Sequence, residues 1–338
     1  MSTPAISVKT SRHWLRNILI GMAVVLALAA AAGAIYQAVE TARDRRAYPM
    51  PGQLVEMGGY RMHIYCVGDG SPAVILDSGL GDSFVSWEKV QPQIAQFTRV
   101  CSYDRAGLGY SDSSPRPRTS KDMAEELHSL LRIAKLPPPY ILVGHSMAGY
   151  NVRLYYALYP ADVAGMVLVD ASHPDQEKRF PAALNDLDKS WIRQEEFLEF
   201  TMPFGVPRLF GFCGDKPAVR AVDCNFHSVR EGVRELKAFA TSAAQAAKTG
   251  SLGNLPLAVL SHDPAMPQPD LPEDLVQPIN QAWGEMQDEL AHLSTRGTRE
   301  IAKNSGHYIQ LDRPELVIDA VHRVFKQARE SNAATGQN

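Results

Sequence analysis

The chain has 338 residues, of which 45% are hydrophobic and 21% charged, and its formal net charge is −3. This is the composition of an ordinary globular protein, which excludes the fibrous and the intrinsically disordered classes. Because phosphate recognition needs clustered lysine and arginine, and the chain has no long basic block, nucleic acid is not expected as a partner.

The first fifty residues predict a membrane anchor. A basic segment, residues 1–16, precedes the uncharged run ILIGMAVVLALAAAAGAI at residues 18–35. Eighteen residues at helical rise come near the lower limit for crossing the hydrocarbon core. We therefore expect a transmembrane signal anchor over residues 17–39, in contact with the lipid bilayer through residues 18–35. The alternative is a cleaved signal peptide, whose apolar region is usually shorter, roughly 7–15 residues.

The charges beside this run do not decide its orientation. Three basic residues flank each side, so the positive-inside rule gives a tie. They are Lys9, Arg12 and Arg16 before the run and Arg43, Arg45 and Arg46 after it. Resemblance to signal anchors favours a cytoplasmic N-terminus, which makes this a single-pass protein with the rest of the chain outside the cytoplasm. Residues 40–52 predict a polar linker.

From residue 53 onward, short apolar runs alternate with helical patterns. The predicted strands are Arg61–Val67, Ala73–Leu76, Arg99–Tyr103, Tyr140–Val143, Met166–Val169, Leu257–Leu260 and Thr298–Ala302. The predicted helices are Met123–Ile133, Met147–Tyr159, Ile279–Leu293 and Glu315–Gln327. This alternation predicts an α/β fold with a mostly parallel central sheet and helices on both faces.

The stretch from residue 172 to 250 interrupts the alternation, because it is helix-rich and aromatic. We interpret it as a helical lid folded over the sheet; the alternative is a helical subdomain whose aromatic residues form a core of their own. The core domain then comprises residues 53–171 and 251–330, and a flexible tail follows at residues 331–338.

A candidate nucleophile lies between the strand Tyr140–Val143 and the next helix, in Gly144-His145-Ser146-Met147-Ala148-Gly149. This strand–turn–helix setting is the one that the G-x-S-x-G nucleophile elbow requires. At a helix N-terminus, backbone N–H groups and the helix dipole favour developing negative charge. Ala148 replaces the second glycine, and one methyl group is a mild departure. The pattern predicts Ser146 as the nucleophile.

Four local motifs resemble the α/β-hydrolase family. In chain order they are LDSGLGDS from Leu76, YDRAGLGYS from Tyr103, VGHSMAG from Val143 and NSGHYIQLDRPE from Asn304. The resemblance covers residues 53–329 except the predicted lid, and it looks closest to lidded esterases, lactonases and aminopeptidase-like members. It implies the α/β-hydrolase fold and a catalytic triad in the order Ser, acid, His.

The resemblance implies His307 as the general base, because this residue lies in a loop between the last predicted strand and the C-terminal helix. Asp263, after the strand Leu257–Leu260, matches the position of the family acid. The gap of 44 residues from Asp263 to His307 is longer than expected. Asp170, at the end of Met166–Val169, is the rival acid, and its alternative role is that of a turn residue.

The oxyanion hole is expected to use two backbone N–H groups, that of Met147 after the nucleophile and, by resemblance, that of Leu80. Asp104 and Arg105 are interpreted as structural residues that brace a turn beside the site.

No metal or organic cofactor is implied, since no CxxC pair or histidine cluster accompanies the cysteines. The four cysteines form either two disulfides outside the cytoplasm, with Cys213 and Cys224 closing a short loop, or buried free thiols.

The functional hypothesis is a membrane-anchored serine hydrolase that cleaves an ester-like bond of a small, apolar substrate through an acyl-enzyme. An amide, lactone or carbon–carbon bond hydrolase would use the same triad. Ser146 argues against the dehalogenases and epoxide hydrolases of this fold, which use aspartate as the nucleophile. The alternative from another class is a small-molecule receptor on the same fold, with slow or no hydrolysis.

Overall fold

Residues 11–269 and 271–334, which the computed structural model describes, contain an eight-stranded sheet. The strands are β1 Gln53–Glu56, β2 Arg61–Val67, β3 Ala73–Asp77, β4 Val100–Tyr103, β5 Tyr140–His145, β6 Val163–Val169, β7 Leu257–His262 and β8 Gly297–Ala302. Their order is β1-β2-β4-β3-β5-β6-β7-β8, and every pair from β4 to β8 is parallel. The predicted fold class is confirmed.

The helices pack on both faces of the sheet and fill the connection between β6 and β7. Those outside that connection are α1 Ser11–Ala47, α2 Gln91–Ile94, α3 Ser120–Ile133, α4 Ala148–Leu158, α11 Glu273–Ala291, α12 Ile309–Asp312 and α13 Pro314–Ala334. Those within it are α5 Gln176–Arg179, α6 Leu184–Thr201, α7 Val206–Leu209, α8 Pro217–Val222, α9 Phe226–Lys237 and α10 Phe239–Ala246. We call this β6–β7 connection the insertion.

The strands are buried apolar runs, and their direction places the site. Every residue of β3 and β5 is buried, and separate apolar clusters cover the two faces of the sheet. Because parallel strands end at the same edge, the residues that follow β3, β5, β6 and β7 meet there. The loop after β3, the candidate nucleophile and both candidate acids all belong to that edge.

Helix α1 is longer than predicted. Within the described residues, it is the one helix long and apolar enough to cross a membrane, with a mean hydropathy of 2.6 over its most apolar part. It continues through residues 40–47, so the predicted linker is helical there. Glu, Ala and Arg favour helix, and Asp44 pairs with Arg208 of the insertion. Residues 1–10 of the basic segment and 335–338 of the tail lie outside the described residues.

Both pairs of cysteines form disulfides. Cys66 of β2 and Cys101 of β4 are direct partners in antiparallel strands, with their Cα atoms 4.0 Å apart. Cys213 and Cys224 join the segment before α8 to the start of α9. Of the two alternatives that the sequence left open, the structure contains the disulfides.

Candidate active site

Ser146 lies in a sharp turn between β5 and α4. Its φ angle is +53°, a left-handed conformation that a non-glycine residue rarely adopts and that costs on the order of 1–3 kcal/mol. Its amide donates to the carbonyl of Val169 at 3.1 Å, and its carbonyl accepts from the amide of Ser172 at 3.0 Å. The end of β6 therefore holds the backbone of Ser146 in the strained geometry on both sides.

Two glycines explain how this turn fits between strand and helix. A Cβ on Gly144 would lie 2.7 Å from the carbonyl oxygen of Ala148, too close for any side chain. A Cβ on Gly149 would lie 2.6 Å from the Cβ of Ala171, so Gly149 lets α4 approach the loop after β6. Ala148, which departs from the motif, is fully buried with its methyl group in place. The elbow thus retains its geometry with the second glycine shifted by one position.

His307 follows β8 and extends toward the end of β6. Its Nδ1 lies 2.6 Å from Oδ2 of Asp170, and its ring is partly exposed. His145 Nε2 donates to the backbone carbonyl of His307 at 3.0 Å. Burial lowers the pKa of His145 to about 3, and the nearby His307 adds to this effect. His145 is therefore a neutral donor that holds the His307 loop.

Asp170 is fully buried and accepts hydrogen bonds from several directions. Besides His307, its carboxylate accepts from Trp283 Nε1 at 2.8 Å and from the amide and ring Nδ1 of His262 at 3.0 and 2.9 Å. Burial alone would raise the pKa of Asp170, but the bonds from His262 and His307 outweigh it and hold that pKa far below its ordinary value. Asp170 is therefore a buried carboxylate that orients His307.

The structure does not bring Asp263, the preferred acid of the sequence analysis, to His307. Its carboxylate accepts from the amides of Asn304 at 3.0 Å and Ala265 at 3.1 Å, and from Lys303 at 3.2 Å. These backbone bonds lower the pKa of Asp263. Asp263 joins the loops after β7 and β8, and its carboxylate is engaged there. The rival residue, Asp170, occupies the position beside the histidine.

His262, the last residue of β7, is a residue of this site that the sequence analysis did not single out. Its Nε2 lies 3.1 Å from Oδ1 of Asn280. Asn280 donates its Nδ2 to the carbonyl of Pro264, which fixes the amide so that Oδ1 faces the ring. Both ring nitrogens thus face acceptors, and each must carry a proton. Burial would lower the pKa of His262, but its contacts with Asp170 raise that pKa above its ordinary value. The geometry and the direction of the pKa shift both favour the imidazolium form of His262.

The two amides expected to form the oxyanion hole lie in one packed region. Leu80 packs against the buried cluster that contains Met147 and Tyr150. Within the described residues, neither the Leu80 nor the Met147 amide donates to a protein acceptor. The Met147 amide at the start of α4 and the Leu80 amide in the loop after β3 are therefore available to a developing oxyanion.

Arg105 and Glu235 hold the loop that carries Leu80. Arg105 is fully buried and donates to two backbone carbonyls of residues 78–81, each at 2.6 Å. Glu235 of α9 accepts from Arg105 Nε at 2.7 Å and from the amide of Gly81 at 2.9 Å. Arg105 therefore has a bracing position, as predicted, and Asp104 is likewise buried against His63. The sequence analysis missed Glu235, because no motif marks it.

A cavity of about 510 Å³ lies over Ser146 and His307. Its wall also contains Leu80 and Trp283, and its roof comes from the insertion. The roof side chains are apolar or aromatic for the most part, among them Phe180, Trp191, Ile192, Leu236 and Phe239. Among the described residues, no group of His, Cys, Asp or Glu is arranged to hold a metal ion.

A second cavity of about 510 Å³ adjoins the first and shares Leu80, Trp191 and Leu236 with it. It lies between the Leu80 loop and the insertion, and its wall includes Pro207, Phe212 and the Cys213–Cys224 disulfide. Its acidic residues are Asp82, Glu195 and Asp223. Burial raises the pKa of each, that of Asp82 to about 6, and so reduces the negative charge of this wall.

Comparisons with known proteins agree with this fold. The chain is 27% identical over 266 residues to the uncharacterized protein YqjL of Bacillus subtilis, covering 79% of this chain and 88% of that protein. A thermophilic esterase from Thermogutta terrifontis superimposes with a TM-score of 0.55 at 19% identity, covering 82% and 98% of the two chains. The epoxide hydrolase CorEH gives 0.59 at 20% identity, covering 81% and 98%.

At such low identity these structures share the fold, and esterase and epoxide hydrolase chemistry both occur on it. The model of the alpha/beta hydrolase fold family matches residues 72–314, which contain Ser146, Asp170 and His307. Family membership supports hydrolase activity in general. The expected resemblance is confirmed: this chain belongs to the alpha/beta hydrolase fold family.

Proposed function

We propose that the protein is a membrane-anchored serine hydrolase that cleaves an ester-like bond of a small, apolar substrate. The observation that carries the proposal is the 2.6 Å contact between His307 Nδ1 and Asp170, with His307 and Ser146 facing one cavity. A serine hydroxyl is a poor nucleophile unless a base accepts its proton, and a buried acid orients that base. The apolar roof of the cavity favours an apolar acyl group.

The reaction follows as two acyl transfers. Ser146 Oγ attacks the carbonyl carbon while His307 Nε2 takes its proton, and the oxyanion is stabilised by the Leu80 and Met147 amides. His307 then gives this proton to the leaving alcohol, which departs and leaves an acyl-Ser146. His307 then takes a proton from a water molecule that attacks the acyl group, and returns this proton to Ser146 Oγ as the Oγ–acyl bond breaks and the acid leaves. Asp170 remains ionised throughout and balances the imidazolium.

The anchor and the cellular side belong to the same proposal. Helix α1 crosses the bilayer through residues 18–35, with the hydrolase domain outside the cytoplasm. Two features support this: the length and apolar character of α1, and the two disulfides, which persist in oxidising compartments.

A tagged fluorophosphonate, added to membranes that contain the full-length chain, tests the proposal. We expect labelling of the wild type and none of Ser146→Ala or His307→Ala. Hydrolysis of a short p-nitrophenyl ester should fall by about four orders of magnitude in Asp170→Asn. The matched variant Asp263→Asn should lose at most about tenfold, because Asp263 does not contact His307 and the amide oxygen still accepts one of the two backbone bonds.

The outcomes separate the competing functions. Equal losses of ester hydrolysis in Asp170→Asn and Asp263→Asn would contradict the assignment of Asp170 as the acid. No labelling of folded wild type, together with saturable binding of small esters, would contradict the hydrolase and favour the receptor. A labelled enzyme that prefers amides, lactones or activated carbon–carbon bonds in a substrate panel would retain the mechanism and change the substrate class.

A further inference from the structure

The insertion presents an exposed apolar surface beside α1. We call the aromatic surface the side chains of Phe200, Phe204, Leu209, Phe210 and Phe212. Phe200, Leu209 and Phe210 are each at least 70% exposed. Arg208 is the one charged residue in the segment from 200 to 212, and Asp44 engages its guanidinium. An uncharged patch of this kind on a protein surface marks a site of contact with a protein or a membrane.

The aromatic surface is attached to α1 at one defined height. A Cβ on Gly33 would overlap the backbone carbonyl of Phe204, so the glycine lets the two backbones meet. Gly205 lies against Tyr36, and Gln37 Nε2 donates to the carbonyl of Cys224 at 2.9 Å. Gly33 belongs to the last turn of the apolar run. When α1 spans the hydrocarbon core through residues 18–35, the aromatic surface therefore lies at the outer boundary of that core.

The polar contacts between α1 and the insertion lie farther along the helix. Asp44 pairs with Arg208 and Arg220, and Arg45 faces the carbonyl of Ala221. At about 1.5 Å per residue, Asp44 is roughly 16 Å beyond Gly33. The insertion thus has its ionic contacts on the aqueous side and its aromatic side chains at the apolar end.

From this arrangement we infer that the aromatic surface is seated in the interfacial layer of the same bilayer that α1 crosses, and that the site receives esters dissolved in that bilayer. The inference rests on the proposed function. The second cavity supports it, because Phe212 of the aromatic surface lies in its wall and Leu80, Trp191 and Leu236 line both this cavity and the adjoining one over Ser146. Aromatic and leucine side chains favour this layer of a membrane.

Depth-dependent fluorescence quenching tests whether the aromatic surface lies in the interfacial layer of the bilayer. Because the native cysteines are paired, a single cysteine at Phe210 can carry an environment-sensitive fluorophore in the full-length protein, reconstituted in phosphatidylcholine vesicles with spin-labelled lipid. Leu158 is the matched control, since it is an exposed apolar residue at the end of α4 that points away from the nucleophile edge. We expect quenching at Phe210→Cys at least about threefold stronger than at Leu158→Cys. Equal quenching would overturn the inference.

A second experiment measures the substrate class. Leu209→Ser combined with Phe210→Ser should leave hydrolysis of a water-soluble short ester within about twofold, and lower hydrolysis of a long-chain ester in vesicles by about tenfold. Ile133→Ser combined with Leu158→Ser is the control and should change neither rate. An unchanged rate of long-chain ester hydrolysis in vesicles for the variant with Leu209→Ser and Phe210→Ser would overturn the inference. Failure of the proposed function is distinct, because the wild type itself would then hydrolyse neither ester, while the quenching still reports the seating.

Discussion

Asp170 accepts hydrogen bonds from three side chains in a fully buried position, and one of them, His262, has surroundings that favour its protonated form. A carboxylate shared by two imidazoles is less available to either. With His262 charged, taking a second positive charge onto His307 is opposed by Coulomb repulsion. At residue scale, we therefore expect His262 to act as a positioning residue for the Asp170–His307 pair.

Replacing His262 by glutamine should change the pH dependence of catalysis. The ionisable groups that face His262 are Asp170, Asp263 and, across Asp170, His307. Loss of the imidazolium favours protonation of His307, so the midpoint of the acidic limb of the kcat/KM profile should move about one pH unit upward. Ester hydrolysis between pH 4.5 and 8.5 measures this shift.

The control for this prediction is His292→Gln, because His292 is exposed and faces a carbonyl of its own helix. Its profile should superimpose on that of the wild type. An unchanged or acid-shifted midpoint in His262→Gln would show that His262 is not charged, and would leave it with a packing role.

Sequence patterns predicted Ser146 and His307 and preferred Asp263 to Asp170 as the acid, whereas the structure places Asp170 beside His307. The elbow motif predicts Ser146 because strand, glycine and helix are adjacent in the chain, and the position of His307 after the last strand is equally local. Asp170 and Asp263 both follow buried parallel strands, so local sequence does not distinguish them. Their assignment depends on which loop approaches His307 in three dimensions, and the long gap before His307 was the one available signal.

At the scale of elements, α1 and the insertion form one packed unit. Their contact depends on Gly33, where a side chain would overlap the backbone of Phe204, whereas a Cβ on Gly21 would have nothing within 4 Å. The two glycines of the same helix therefore offer a matched pair of positions, one in contact with the insertion and one that faces outward.

Gly33→Leu should detach the insertion from α1, and Gly21→Leu should not. Overpacking of this kind costs about 1–3 kcal/mol, so protease cleavage within residues 200–215 should accelerate by about tenfold in Gly33→Leu. Limited proteolysis of the detergent-solubilised full-length protein, followed by mass spectrometry, measures the rate. Similar cleavage rates in the two variants would contradict the contact.

The elements that the sequence predicted well are those whose pattern is determined by burial. The strands from β3 to β7 were predicted because their apolar runs are covered on both faces, whereas β2 and the edge strand β8 are only partly buried. Strand β1, QLVE, is short and lies at the edge of the sheet, so it lacks this signature. The helical part of the predicted linker was missed because its polar residues are typical of a linker, while their contacts with the insertion come from distant parts of the chain.

At the scale of the whole molecule, two disulfides brace separate parts of the protein. Cys66–Cys101 joins two strands of the sheet, and Cys213–Cys224 lies in the insertion beside α1. Such bonds persist where the compartment is oxidising. Under the proposed anchoring, the side of the membrane on which the domain lies therefore determines how many cysteines are free thiols.

We expect no reaction with a maleimide-polymer reagent when the chain is denatured without reductant, and a gel shift for all four cysteines after reduction. The same chain with the first 47 residues removed, expressed in the cytoplasm, is the reducing-compartment control and should react without reductant. Four reactive thiols in the membrane-inserted protein would contradict a domain outside the cytoplasm.

The hydrogen bond from the Ser172 amide to the carbonyl of Ser146 has a consequence for engineering. Ser172 is the first residue of the predicted lid, yet it supports the strained turn of the nucleophile. In a chimera that exchanges the insertion between relatives, the junction should therefore lie downstream of Ser172, so that its hydrogen bond to Ser146 is kept. With Ser172 retained, and with Glu235 retained because it holds the Leu80 loop, the rest of the segment that shapes the substrate cavity can be exchanged on a constant core.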